Sequence, residues 1–263
     1  MKAALPWIEP PVRFGAFVRG VLYLLAGLFA LRLAFDSGGA PMAPAGAIAM
    51  LGDQEFGRVL LVLVALGLLG YATWGIVRAV FDPHGRGTKP LGMFQRAGYA
   101  VSALGHGGLL FLTLSNLSGA SARRSGGWIG SLLAHPLGPW LLGLVGMCWV
   151  VGAGVLQIVA GARGSMERDL RTERMSPTTR SFVLSLGRVG AVARGLLFTL
   201  VGGFMIQAAV QRDAGGGEGI EAAWLTLLHE PYGRWLLGTV ALGIVAFGLY
   251  SMLCARWMRI RVI

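Results

Sequence analysis

Long stretches of this sequence carry no charged side chain. Val59 to Val77, Ala97 to Leu117, Leu137 to Ala162 and Trp235 to Ala255 are each 19 residues or longer. At about 1.5 Å per helical residue, that length crosses roughly 30 Å of hydrocarbon. Phe14 to Phe35 and Val189 to Gln211 reach it once Arg19, Arg32 and Arg194 are counted as their ends. Hydrocarbon offers the backbone no hydrogen-bonding partner, so the segments are expected to be helices. Only 13% of the residues are charged, against roughly 25% in soluble domains. The expected fold class is all-α: a polytopic membrane protein with six transmembrane helices, in a single membrane domain over 1–263. Glu9, Pro10 and Pro11 stand where a signal peptide would carry its basic region, so the first stretch reads as a span.

Six spans place both termini on one side. That side, with its connections and helix ends, holds 17 of the 23 Lys and Arg and five acidic residues, a charge of about +12. The other side holds Arg32, Arg58, Arg123, Arg124, Arg212 and Arg234 against seven acids, about −1. The positive-inside rule then predicts a bacterial cytoplasmic (inner) membrane protein with both termini in the cytoplasm. A basic face beside anionic lipid accounts for the net charge of +11, and no nucleic acid is needed as a partner. Cys148 and Cys254 fall inside predicted spans and read as small apolar side chains.

Two motifs recur. "RFGAFVRG" at 13–20 and "RVGAVARG" at 188–195 open the first and fifth spans, and "RAGYAVSA" at 96–103 opens the third in weaker form. "EFGRVLL" at 55–61, "PLGPWLL" at 136–142 and "PYGRWLL" at 231–237 open the even spans. From leading arginine to second-motif glycine the distance is 44, 42 and 45 residues. Repetition in register at this period predicts three tandem helical hairpins, 13–82, 96–163 and 188–257, closing with pseudo-threefold symmetry about the membrane normal. A cytoplasmic linker, 163–187, joins the last two. Gly20 and Gly27 follow Arg13 at intervals of two turns, and Gly195 and Gly202 follow Arg188 likewise, so they read as packing surface.

These motifs resemble a bacterial integral membrane family of tandem two-helix repeats, domain of unknown function 1206. The likeness rests on the R-x-G-x-x-x-R-G start and on the glycine and Leu-Leu start of the even spans, over roughly 13 to 257. The middle copy departs, with Ser102 for the second arginine and His106 where Tyr23 and Phe198 stand. The resemblance implies an integral bacterial membrane protein and brings no activity with it.

Carboxylates are missing from the spans: all twelve Asp and Glu lie in connections or at helix ends. Ion-coupled transport and metal or paired-carboxylate catalysis favour an acid within the membrane, so the expectation is a non-enzymatic protein without cofactor. His106 alone sits in mid-span as a conceivable haem or quinone contact. Thr73, Thr113, Ser115, Asn116, Gln157, Thr199 and Gln207 are expected to bond between helices. Trp140, Trp149, Trp224, Trp235 and Trp257, with Tyr232, read as an interfacial belt. In the linker, Arg163, Arg168, Arg171, Arg174 and Arg180 alternate with Glu167, Asp169 and Glu173, predicting i,i+4 pairs on a short surface helix. The loop at 213–221 is expected to be flexible and carries no catalytic signature.

The remaining candidates are the arginines. Arg13, Arg96 and Arg188 sit at the boundary, where a guanidinium snorkels at little cost. Arg19 and Arg194 lie six residues, about 9 Å, deeper, with no carboxylate in their spans. Together Arg13, Arg19, Arg96, Arg188 and Arg194 are the candidate lipid or anion site. The function expected is that of a structural or accessory membrane protein binding anionic lipid, or a membrane-protein partner through 163–187. A small-solute channel along the symmetry axis and a haem- or quinone-associated redox subunit are the alternatives.

Overall fold

A computed structural model describes residues 9–35, 42–83, 85, 87–119, 128–164, 167, 170–212 and 219–259. Arg123, Arg124, Arg168, Asp169 and most of the 213–221 loop, all invoked above, lie outside the described residues. Helices account for the described spans: α1 Glu9–Phe35, α2 Pro44–Gly52, α3 Gly57–Phe81, α4 Pro90–Leu117, α5 Trp128–Leu133 and α6 Gly138–Trp149. A π-helical turn, Val150–Val155, leads into α7 Leu156–Ala162; then follow α8 Pro177–Gln211, α9 Gly219–His229 and α10 Gly233–Trp257. Six of these are long and apolar enough to cross a membrane, α6, the π turn and α7 together making the fourth.

The second motif has a local cause. A short helix (α2, α5 or α9) precedes each even span, and the chain reverses into the span at Gly57, Gly138 or Gly233. The glycine N–H closes the turn onto the carbonyl three residues back, at 2.7 Å from Gln54, 2.8 Å from His135 and 2.7 Å from Glu230. A Cβ at any of the three would collide with a carbonyl of the short helix. Of each following Leu-Leu pair, the second member, Leu61, Leu142 or Leu237, turns into the core.

The expected hairpins pack unequally. The broadest interfaces join successive hairpins: α1 lies along α10, α4 along α3, and α8 along the α6–α7 span. Within hairpins, α1 packs on α3 and α8 on α10, whereas α4 meets its partner span chiefly at the π turn. The third and fourth spans are accordingly much less buried than the other four.

Glycine positions explain this difference. Gly15 lets α1 approach the α3 backbone at Gly67 and Tyr71, and Gly190 lets α8 approach the α10 backbone at Phe247. Gly98, at the same distance from its leading arginine, faces open space. Gly67 receives Val18 and Gly243 receives Ala193; the matching pair in the middle copy, Cys148 and Val101, is exposed on both sides. The contact to the preceding hairpin survives in all three copies, as Gly20 on Gly248, Ala103 on Gly75 and Gly195 on Gly154.

Several polar and aromatic expectations change. Thr73, Thr113, Ser115, Asn116 and Thr199 each donate to the carbonyl four residues back instead of to another helix. A short hydroxyl or amide reaches its own helix sooner than a neighbour. Trp224 is fully buried in the core cluster with Leu237 and Ile244, while Trp140, Trp235 and Tyr232 are exposed as a belt requires.

Among the described residues, the linker shows no surface helix before α8 begins at Pro177. Leu170 is buried and bridges Met258, and the Arg171 N–H donates to Trp257 at 2.7 Å. This backbone pairing holds the segment across the ends of the bundle, with a 3-10 turn at Thr172–Arg174 before Ser176 caps α8. Its ion pairs reach across the chain in place of i,i+4 spacing: Arg171 to Glu9 at 3.3 Å, Arg259 to Glu173 at 2.6 Å, and Arg180 to Glu167.

Candidate anion site in the bundle interior

The five candidate arginines divide into two groups. Arg13 donates to the carbonyls of Ala255 at 2.5 Å and Arg256 at 2.6 Å, and to Glu9 through Nε at 2.9 Å. Arg96 donates to Ala79 and Val80, each at 2.8 Å. Both therefore satisfy the open carbonyls at the C-terminus of the preceding even span, where the helix dipole favours a cation. Arg188 is exposed, and its guanidinium lies just past the end of α7, where a Cβ on Gly164 would come within 2.8 Å of it.

Arg19 and Arg194 instead turn inward and converge. Arg19 donates through Nε to the Ser251 hydroxyl at 2.8 Å and through Nη1 to the Tyr71 phenol. The Ser251 hydroxyl in turn donates to the Ala16 carbonyl at 3.0 Å. Arg194 donates through Nε to the Tyr23 phenol at 2.9 Å and through Nη1 to Gln157 at 2.8 Å. Phe247 stands between them, its ring centre 5.3 Å from one guanidinium and 5.0 Å from the other. Tyr71 lies 4.2 Å from Arg19 and Phe198 4.3 Å from Arg194.

The two settings are built alike. Each arginine reaches one polar side chain on the preceding even span, Ser251 for Arg19 and Gln157 for Arg194. Ser251 lies 18 residues after its turn glycine and Gln157 lies 19. The π turn between Gly138 and Gln157 absorbs the extra residue and restores the register. Tyr71 and Phe247 likewise occupy one position, 14 residues after Gly57 and Gly233.

The middle copy fills the third position differently. Ser102 stands in place of the arginine, and its carbonyl accepts from His106 Nδ1 at 2.6 Å. The imidazole is buried (5% exposed) and packs against Tyr71, ring centres 4.6 Å apart. No cluster of three His, Cys, Asp or Glu able to hold a metal occurs among the described residues.

Chemically, this interior offers the guanidiniums of Arg19 and Arg194, whose hydrogen-bond partners among the described residues are neutral, while Arg78 stands 5.7 Å from the Tyr71 ring. Each guanidinium has five N–H donors in a plane suited to an oxyanion. Among the described residues, Nη2 of Arg19 and of Arg194 donates to no protein acceptor, and both side chains keep intermediate exposure despite their central place. Charge alone marked Arg19 and Arg194 in the sequence. Tyr23 stood out only as the counterpart of His106, and nothing marked Tyr71, Ser251 or Phe247 except the shared offset of Tyr71 and Phe247 from the turn glycines.

Of the three hairpins, two carry the inward arginine, and those two match a known family. The model described as Domain of Unknown Function (DUF1206) matches residues 14–82 and 189–258. The chain belongs to this family. It is also similar to the uncharacterized protein YxxB of Bacillus subtilis (strain 168), 30% identical over 253 residues covering 94% of this chain and 90% of that protein. No solved structure matches the chain. DUF1206 membership and six apolar helices make this a membrane protein whose activity the family description leaves open.

Proposed function

We propose that this DUF1206 protein is a non-enzymatic protein of the bacterial cytoplasmic membrane, with both termini in the cytoplasm, that holds an anionic ligand between Arg19 and Arg194. The observation that carries this reading is the convergence of two guanidiniums on Phe247 without a carboxylate among their partners. A charge in mid-span costs roughly 3 kcal/mol on insertion scales. Desolvated cation–π contacts return about 2 kcal/mol, and neutral hydrogen bonds about 1 kcal/mol each. Those terms hold each cation in place but leave two like charges facing one interior. An oxyanion there would neutralise both and use the remaining Nη2 donors.

The surrounding rings favour holding over conduction. Tyr23, Tyr71, Phe198 and Phe247 each lie within 5.3 Å of an interior guanidinium, an apolar setting that supports a held ligand over a water-filled path. The boundary arginines Arg13 and Arg96 are engaged with helix ends, so the frame of the bundle and its ligand site use different arginines.

The test is binding of phosphatidylglycerol and of inorganic phosphate to the full-length protein, followed by native mass spectrometry and calorimetry. The double variant Arg19→Gln, Arg194→Gln should lose binding of either probe at least tenfold while keeping its helical circular dichroism and monodisperse elution. Undiminished binding of both probes by that variant would overturn the reading.

A further inference from the structure

The middle hairpin leaves an opening beside the arginine pair. Its two spans, α4 and α6–α7, meet chiefly at the π turn, and the faces they should present to each other are uncovered. On α4 these are Gly98, with nothing within 4 Å of a Cβ, and Val101, 39% exposed. On the facing span it is Cys148.

Gly105 deepens the gap. Nine residues after the leading arginine, the other copies place Leu22 and Leu197, each 1% exposed and packed into the core. The middle copy has Gly105 there, with nothing within 4 Å of a Cβ. The middle copy thus lacks a leucine on the uncovered face where the other two copies bury one.

The two walls of this gap also carry the neighbours of the arginines. His106, on α4, packs against Tyr71, which accepts from Arg19. Gln157, on α7, accepts from Arg194. The two helices with uncovered facing sides are therefore the same two that carry the neighbours of the interior cations.

We propose that the seam between α4 and the α6–α7 span is a lateral portal, through which a single anionic phospholipid places its phosphate against Arg19 and Arg194. Its acyl chains remain outside, along the exposed apolar faces of those two spans. The proposal rests on the anion-holding reading above and commits it to a lipid phosphodiester. Charge supports that choice: two cations without a carboxylate partner lie behind an apolar slit, which matches a ligand with an anionic head and a hydrocarbon tail. A free anion would need no slit.

Gly105→Leu restores the residue of the other two copies, and its Cβ has no neighbour within 4 Å, so the variant should fold. Wild type, Gly105→Leu and the Arg19→Gln, Arg194→Gln double variant would each be placed in nanodiscs of phosphatidylglycerol and phosphatidylcholine at 1:4. Lipid released with each protein would be counted by native mass spectrometry, and inorganic phosphate binding measured separately by calorimetry. The portal predicts one retained phosphatidylglycerol in wild type and at least a tenfold loss in Gly105→Leu. Phosphate binding should be unchanged in Gly105→Leu and lost only in the arginine variant. If Gly105→Leu retains phosphatidylglycerol while the arginine variant loses it, the portal is wrong and the arginine site stands. If wild type binds phosphate but retains no phosphatidylglycerol, the ligand is a free anion and the portal is again overturned. If the arginine variant retains both probes, the arginine site itself fails. Should Gly105→Leu elute as aggregate, Gly98→Leu on the same face provides the same comparison.

Discussion

The outer hairpins and the middle one share a frame and differ in what the frame encloses. All three keep the turn glycine, the buried second leucine and a leading arginine at the end of the preceding even span. Only the first and third keep the inward arginine and the even-span glycine, Gly67 or Gly243, that receives the odd span; the middle copy keeps Gly98 on the odd span but has Cys148 opposite. The family model matches those two and leaves 83–188 unmatched. So contacts between successive hairpins and contacts within a hairpin are separable, and the middle copy has retained the first while giving up the second. In lipid this is inexpensive, since an uncovered apolar helix face meets hydrocarbon instead of water.

The sharpest way to break the comparison is to crowd the helix contacts of an outer copy. A Cβ on Gly248 would lie 2.6 Å from the Leu24 backbone nitrogen, and one on Gly190 2.5 Å from the Phe247 Cα. Gly248→Leu and Gly190→Leu should each destabilise the bundle by about 3 kcal/mol or more, because the backbones must separate. Gly98→Leu, at the position equivalent to Gly190, should change stability by about 0.5 kcal/mol or less. Unfolding in mixed micelles measures all three; a collapse of Gly98→Leu comparable to Gly190→Leu would remove the distinction between copies.

A second pair of experiments asks whether the frame is common to all copies. Gly57→Ala, Gly138→Ala and Gly233→Ala each force a Cβ onto a carbonyl of the preceding short helix. Each should cost about 2 kcal/mol, similar in the middle copy and in its neighbours. If Gly138→Ala were silent in thermal unfolding, the middle turn would not belong to the same frame.

How much of this was legible beforehand follows the same division. Span length, and with it the six helices, is written in local composition, and the turn motif is local too. Leu60-Leu61, Leu141-Leu142 and Leu236-Leu237 could be matched by eye because their geometry depends on residues within one turn. The surroundings of Arg19 and Arg194 are not local: Ser251 and Tyr23 come from 232 and 171 residues away in the chain. A Tyr in an apolar span gives no sign of its partner until the helices are placed. The linker misled for a related reason. Its alternating charges suit i,i+4 pairing, but the backbone pairing of Arg171 to Trp257 and the burial of Leu170 tie its described residues to the end of α10.

A smaller effect separates boundary arginines from interior ones. Arg13→Gln and Arg96→Gln each remove charged donors from helix-end carbonyls, which should lower stability by about 1 kcal/mol. Neither should change binding of phosphatidylglycerol or phosphate, whereas the interior double variant should do the reverse. Measuring both quantities on the same preparations would show whether frame and ligand site are independent; a loss of binding in Arg13→Gln would join them.

The smallest expected effect concerns the linker that leaves the middle copy and ties it to the end of the last span. Glu173 accepts from its own backbone N–H and from Arg259 at 2.6 Å, and these two bonds, in that order, hold its carboxyl below the usual carboxylate range. A carboxyl whose pKa is lower in the folded state stabilises the fold only while ionised. Its contribution is therefore complete above the ordinary carboxylate value of about 4.3 and fades as pH falls through the lower folded value. Glu173 is solvent-exposed, so screening keeps the effect slight. Wild type should lose slightly more thermal stability than Glu173→Gln between neutral and strongly acidic pH, and the two should converge at the acidic end. A Glu173→Gln curve parallel to wild type throughout would mean that the pair with Arg259 contributes nothing to holding the linker across the bundle.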